Sequence, residues 1–129
     1  MDDIIFARGV RVRNPSGGGS QLPTESVSQI GSATTVAGNS QITLLTYTVA
    51  VKDLWLDSII ATGDVDAEFV LFINTVKKLV YRTSEQDRTM KLLYPVAQLM
   101  TVGTIIDVKV THWNVNTANF DATLTGHKY

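Results

Sequence analysis

Apolar and polar residues alternate with a period of two along most of the chain, and this pattern becomes clearest toward the C-terminus. In Ile105–Trp113, Ile106, Val108 and Val110 share one side while Asp107, Lys109 and Thr111 share the other. Asn119–Gly126 repeats the scheme, with Phe120, Ala122 and Leu124 opposite Asp121, Thr123 and Thr125. Successive side chains of a strand point to opposite faces, so each run predicts a strand with one buried and one solvated side. The same reading gives strands at Ile42–Val51, Leu54–Ala61, Ala67–Asn74, Lys78–Thr83 and Thr89–Val96. Ala67, Phe69, Leu71 and Ile73 form one inward set, and Met90, Leu92 and Tyr94 another. Turn signals separate the runs at Gly63-Asp64, Asn74-Thr75, Ser84–Asp87, Val102–Thr104 and Asn114–Asn116. No segment carries a helical period. Seven or eight strands with two apolar inner faces predict an all-β, jelly-roll-like antiparallel β-sandwich. An immunoglobulin-like sandwich is the alternative, without its Cys–Trp–Cys hallmark.

The pattern fails before residue 41. Asn14–Ser40 is rich in Ser, Gly, Thr and Gln and contains Pro15, Gly17–Gly19, Pro23, Gly31 and Gly38. Its apolar residues Leu22, Val27, Ile30 and Val36 are too scattered to define a face. Ordering such a segment costs about 1–2 kcal/mol per residue with little burial to offset it. The chain therefore divides into an extended N-terminal arm, residues 1–40, and a β-sandwich body, residues 41–129, expected to fold without the arm. In Phe6–Arg13, Val10 and Val12 alternate with Arg11 and Arg13. This run reads as a strand, either of the same domain or added to another chain's sheet edge. Long structureless segments are uncommon within compact domains, which favours docking of the arm on a neighbouring subunit over its own body.

Composition narrows the function. The 129 residues suit one domain, and 44% hydrophobic content can supply a core. The absence of cysteine removes disulfides, zinc–thiolate sites and a cysteine nucleophile. A formal net charge of −1 gives no footprint for general nucleic-acid binding. No apolar run approaches the roughly 20 residues of a spanning helix, so no membrane partner is expected. Ile4–Ala7 follows Asp2-Asp3 and is short for a signal peptide, so the mature protein is expected to start at or near Met1.

The body has no chemical motif, but its strand-and-turn pattern resembles a known group. Leu45–Val49, Leu54–Asp64 (LWLDSIIATGD), Ala67–Asn74 (AEFVLFIN), Val102–Asn114 (VGTIIDVKVTHWN) and Phe120–Gly126 (FDATLTG) are similar to small β-sandwich virion modules of tailed bacteriophages. These modules occur as capsid decoration (cement) proteins and as tail components. The resemblance spans about residues 41–127 and excludes the arm. Thr104 after Gly103 departs from the Asp expected there, which touches turn geometry alone. The resemblance implies a non-enzymatic virion structural protein assembled in the bacterial host cytoplasm. It would bind the major capsid protein or other virion proteins and self-associate, with a trimer favoured, and it would need no cofactor. A tail, neck or fibre component is the first alternative. A carbohydrate-binding receptor-recognition module is the second, and it predicts exposed aromatics lining a groove with Asp, Asn or Arg nearby.

Candidate residues follow from these readings. In the arm, Ile4, Ile5 and Phe6 offer apolar contacts, Arg8, Arg11 and Arg13 offer charge, and Val10 and Val12 offer a strand face. In the body, Trp55 and Trp113 fall out of phase with their inward neighbours and read as outer-face residues. Such tryptophans stack on sugars or anchor protein interfaces, or else they cover a sheet edge. Val70, Phe72 and Leu93 also oppose their strands' inward sets, and that much outward apolar surface invites a partner. The remaining polar groups read as structure. His112 shares the inward phase of Val110 and is expected to be buried and hydrogen-bonded. Asp64, Asp66 and Glu68 lack the ligand pattern of a calcium loop, and Glu85-Gln86-Asp87-Arg88 reads as a charged turn.

Overall fold

The computed structural model describes residues 25–129 and, ahead of them, a pairing of β1 (Ile5–Phe6) with β2 (Val10–Arg11). Eight strands follow: β3 (Glu25–Val36), β4 (Ile42–Thr48), β5 (Leu54–Gly63), β6 (Ala67–Ile73), β7 (Val76–Arg82), β8 (Thr89–Met100), β9 (Ile105–His112) and β10 (Ala118–Lys128). They form two antiparallel sheets, ordered β3-β10-β5-β8 and β4-β9-β6-β7. Among these eight, β6 and β7 alone are neighbours in both sequence and sheet. Every other connection crosses between sheets, which is the double Greek-key winding of a jelly roll. The all-β sandwich expected from alternation is the observed fold.

The alternation sets the core. β10 reads buried at every second residue from Ala118 to Lys128, and β9 does so from Ile106 to His112. Phe69 of one sheet meets Phe120 of the other edge-to-face, with ring centroids 6.0 Å apart. Leu54, Leu56, Ile59, Leu71, Ile106, Val108 and Leu124 close around this pair. Gly63 lies opposite Phe120 in register, and a methyl group there would collide with the Phe120 ring.

The segment read as a featureless arm contains a strand. Glu25–Val36 is the edge strand β3, paired with β10 from Val36↔Ala118 to Glu25↔Lys128. Residues 25–36 therefore belong to the sandwich. The strand escaped the hydrophobic pattern because its inward positions are Val27, Gln29, Gly31 and Ala33, which are mostly small or polar. Smallness is required at Gly31, where a Cβ would run into the Leu44 carbonyl. Here the edge strands β3 and β4 of the two sheets approach closely. β3 thus lies ahead of Gln41, where the body was expected to begin.

The turns explain several polar signals. Asn74 and Thr75, both at positive φ (50° and 67°), join Ile73 to its partner Val76 as a two-residue hairpin of the I′ kind. The Asn74 carboxamide accepts from Ile105 N–H at 2.9 Å and fixes the hairpin to β9. Val51 is the centre of a γ-turn: its φ is 69°, and Lys52 N–H donates to Ala50 C=O at 2.7 Å.

Candidate interaction surfaces

The two sheets align so that β3 and β4 edge one side of the sandwich while β7 and β8 edge the other. The second side is the more apolar. β8 is long and irregular: between the pairs Ser58↔Leu93 and Leu56↔Gln98, Tyr94–Ala97 stand against Asp57 alone. This wide bulge pushes β8 outward and twists the free edge, a common protection against uncontrolled sheet pairing. It leaves Leu93 60%, Val96 73% and Leu99 49% exposed. Val76 and Val80 of β7 are also exposed along the neighbouring edge. Tyr94 points back toward the core, and partial burial pushes its phenol above the usual tyrosine range. Leu93 was read correctly as outward. Val96 was missed because it shared the inward phase of Met90, Leu92 and Tyr94 until the bulge turned it out, and Leu99 because the strand runs on to Met100 rather than ending at Val96. Pro95 was the available signal, since proline within a strand marks an edge or a bulge.

The predicted site residues separate into three groups. Ile4, Ile5, Phe6, Arg8, Val10, Arg11, Val12 and Arg13 lie outside the described residues as far as their side chains are concerned. The backbone of Ile5–Phe6 pairs with Val10–Arg11. Trp55 is half-buried on the outer face of the β3-β10-β5-β8 sheet, edge-to-face with Tyr129 at 6.3 Å. Val70, Phe72 and Trp113 take the outer phase of the opposite sheet. They do not form one exposed apolar patch. Val70 is only 1% exposed, so its reading as surface is corrected. It sits on the central strand β6 between Val80 and Lys109 in register. Phe72 is half-buried beneath the Lys109 ammonium, 4.9 Å from its ring centroid. Trp113 is 45% exposed at the end of β9, with the Arg82 guanidinium 4.3 Å from its ring centroid.

The polar candidates are held by the scaffold. His112 is fully buried; its Nε2 lies 2.6 Å from Val36 C=O, and its Nδ1 accepts from Asn114 N–H at 3.2 Å. A carbonyl can only accept, so Nε2 carries the proton and His112 is a neutral cross-brace. It ties the end of β3 to the β9–β10 connection. The acidic stretch is dispersed: Asp64 accepts from Asn119 N–H, and Asp66 pairs with Arg88 at 3.4 Å. Among the described residues no His, Cys, Asp and Glu group could hold a metal ion. Asp87 caps Thr89 N–H at 3.1 Å, and Arg88 also donates to Asp64 C=O at 2.5 Å, so these two charges brace the loop. Among the described residues no helix is long and apolar enough to cross a membrane.

No protein-family model and no curated protein matches the sequence. Among solved structures the chain is similar to VP2 of the infectious bursal disease virus subviral particle, at 9% identity and TM-score 0.39. That match covers 89% of this chain and 37% of the other. The Gt strain of infectious bursal disease virus matches at 12% identity and TM-score 0.35, over 91% and 39% of the two chains. Dimeric latent PorU from Porphyromonas gingivalis matches at 9% and 0.35, over 87% and 14%. The chain spans about two fifths or less of these structures' own lengths. The strand order set out above, rather than these likenesses, carries the assignment as a jelly roll.

Proposed function

We propose that this jelly roll is a non-catalytic structural subunit of a virus particle, of the tailed-phage decoration or cement type, that works by binding copies of itself and neighbouring virion proteins. The observation that carries this reading is the apolar β7–β8 side, where Leu93, Val96 and Leu99 stand in solvent on a bulged free edge. Exposed apolar residues gathered along one edge mark an association surface. The similarity of the β5, β6, β9 and β10 sequences to phage virion modules supplies the setting. The braced His112 and the dispersed carboxylates support a structural rather than an enzymatic role. In this reading the residues before Glu25 extend onto the major capsid protein or another virion protein, with Ile4, Ile5 and Phe6 as apolar anchors. Arg8, Arg11 and Arg13 pair there with acidic groups.

Sedimentation of the full chain tests the first half of the proposal. A trimer is expected, and Val96→Asp together with Leu99→Lys should yield monomers that keep the β-sheet circular dichroism and melt cooperatively. A monomeric parent protein would sink self-association through this edge. Removing Met1–Thr24 should abolish co-sedimentation with particles that lack the native copy while leaving the β-sheet circular dichroism intact. Undiminished binding would move attachment to the sandwich itself. Imaging of labelled protein on the particle separates a capsid location from a tail, neck or fibre one.

A further inference from the structure

At the end of the sandwich where the β5–β6, β7–β8 and β9–β10 connections meet, an open pocket of about 490 Å³ lies beside Trp113. Its lining combines that indole with Arg82, Glu85, Asp66, Arg88 and Asn114. We infer that this pocket is a saccharide-binding site, with Trp113 as the stacking platform.

The chemistry of the lining selects the ligand class. A pyranose has an apolar C–H face and a rim of hydroxyls that both donate and accept. It needs a partly exposed aromatic ring flanked by groups of both kinds. Trp113 supplies the ring; the Arg82 guanidinium lies over one of its faces, 4.3 Å from the centroid, so a sugar stacks on the opposite face or in place of Arg82. Arg82 and the Asn114 amide supply donors, while Glu85 and Asp66 supply acceptors. Among the described residues Glu85 has no hydrogen bond or ion pair, and Arg82, stacked on the indole, keeps its N–H donors for a ligand hydroxyl. Charge argues against a dedicated anion or acidic-peptide site: the two arginines are balanced by Asp66 and Glu85, and Arg88 is already held by Asp66. The volume lies in the range of small-molecule sites.

The pocket is also built before any ligand arrives. Thr83 Oγ1 accepts from Ala67 N–H at 2.9 Å and donates to Ala67 C=O at 3.2 Å. Ser84 and Asp87 exchange backbone hydrogen bonds at 3.0 and 3.1 Å. Arg88 bridges to the Asp64 carbonyl, and buried His112 holds Asn114 N–H. Loops pinned in this way lose little further entropy on binding, which matters for a weakly apolar ligand.

The test uses the full chain, with the two indole N–H signals read by NMR and assigned from the spectrum of Trp113→Phe. The probes are the methyl glycosides of glucose, galactose and N-acetylglucosamine, free glucuronate, and an oligoglutamate peptide. At least one neutral glycoside should shift the Trp113 signal while leaving that of Trp55 in place. Trp113→Ala, which lacks that signal and is followed by isothermal titration calorimetry, should weaken that binding by about tenfold or more. Glu85→Gln, an exposed change that cannot disturb the core, should weaken it severalfold with no change in thermal midpoint. The inference is overturned if no glycoside moves the Trp113 signal, or if binding survives both substitutions. It is equally overturned if glucuronate and the peptide bind while the neutral sugars do not, because Arg82 would then be an anion site.

Discussion

Thr75 shows how a single side chain can sit in a conformation its type disfavours. Both central residues of a type I′ turn need positive φ, which suits Asn74 and penalises a β-branched threonine. The hairpin persists because Ile73↔Val76 closes it and Asn74 anchors it to Ile105. Thr75→Gly should therefore stabilise the protein by about 0.5–1 kcal/mol, since relief of the left-handed strain exceeds the extra entropy of glycine. Urea unfolding checks this, and a destabilised variant would mean that the Thr75 hydroxyl bond to Asn74 C=O outweighs the strain. The asparagine–threonine turn was legible in the sequence. The γ-turn at Val51 was not, because no residue preference announces a strained β-branched position that neighbouring hydrogen bonds impose.

At the scale of elements, β3 decides how much of the chain the fold needs. β10 is hydrogen-bonded on both sides, to β3 and to β5. Deleting β3 would bare the whole β10 edge and remove Val36, whose carbonyl is the partner of the His112 brace. A protein beginning at Glu25 should melt like the full chain. One beginning at Gln41 should lose several kcal/mol, or fail to fold, through lost ladder bonds and an unpartnered buried histidine. Thermal melts followed by circular dichroism compare the two, and equal midpoints would show that β3 is an ornament on a self-sufficient seven-stranded sandwich. β8 makes the complementary point. Alternation buries Met90 and turns Leu93 out, and the bulge that follows leaves Val96 and Leu99 outward as well, so one strand serves both core and surface.

The molecule as a whole depends on two sheets gripping one apolar layer. Phe120 is the largest side chain that β10 puts into that layer, and it touches Phe69 across the sheets, His112 beside it and Gly63 beneath it. Phe120→Asp should unfold the protein at neutral pH, because a carboxylate would be stranded without a partner in the core. Phe120→Leu should fold with a cost of about 1–3 kcal/mol for the space left. If Phe120→Asp retains a cooperative melt, the inter-sheet layer is not the source of stability.

Alternation alone determined the strand character of β4–β7, β9, β10 and the first part of β8, the inward phase of β6, β9 and β10, the outward phase of both tryptophans and the buried, hydrogen-bonded position of His112. Those properties depend on near neighbours in the chain, and a period of two reports them directly. Tertiary structure alone decided the rest. It recruited Glu25–Val36 as a strand, because backbone pairing with β10 and closeness to Leu44 asked for small residues instead of an apolar stripe. It closed Val70 off from solvent on an outer face, and it set Arg82, Glu85 and Asp66 around Trp113 from three separate connections. Groups distant in sequence meet only when the Greek-key crossings bring their loops to one end, and no local pattern encodes that meeting.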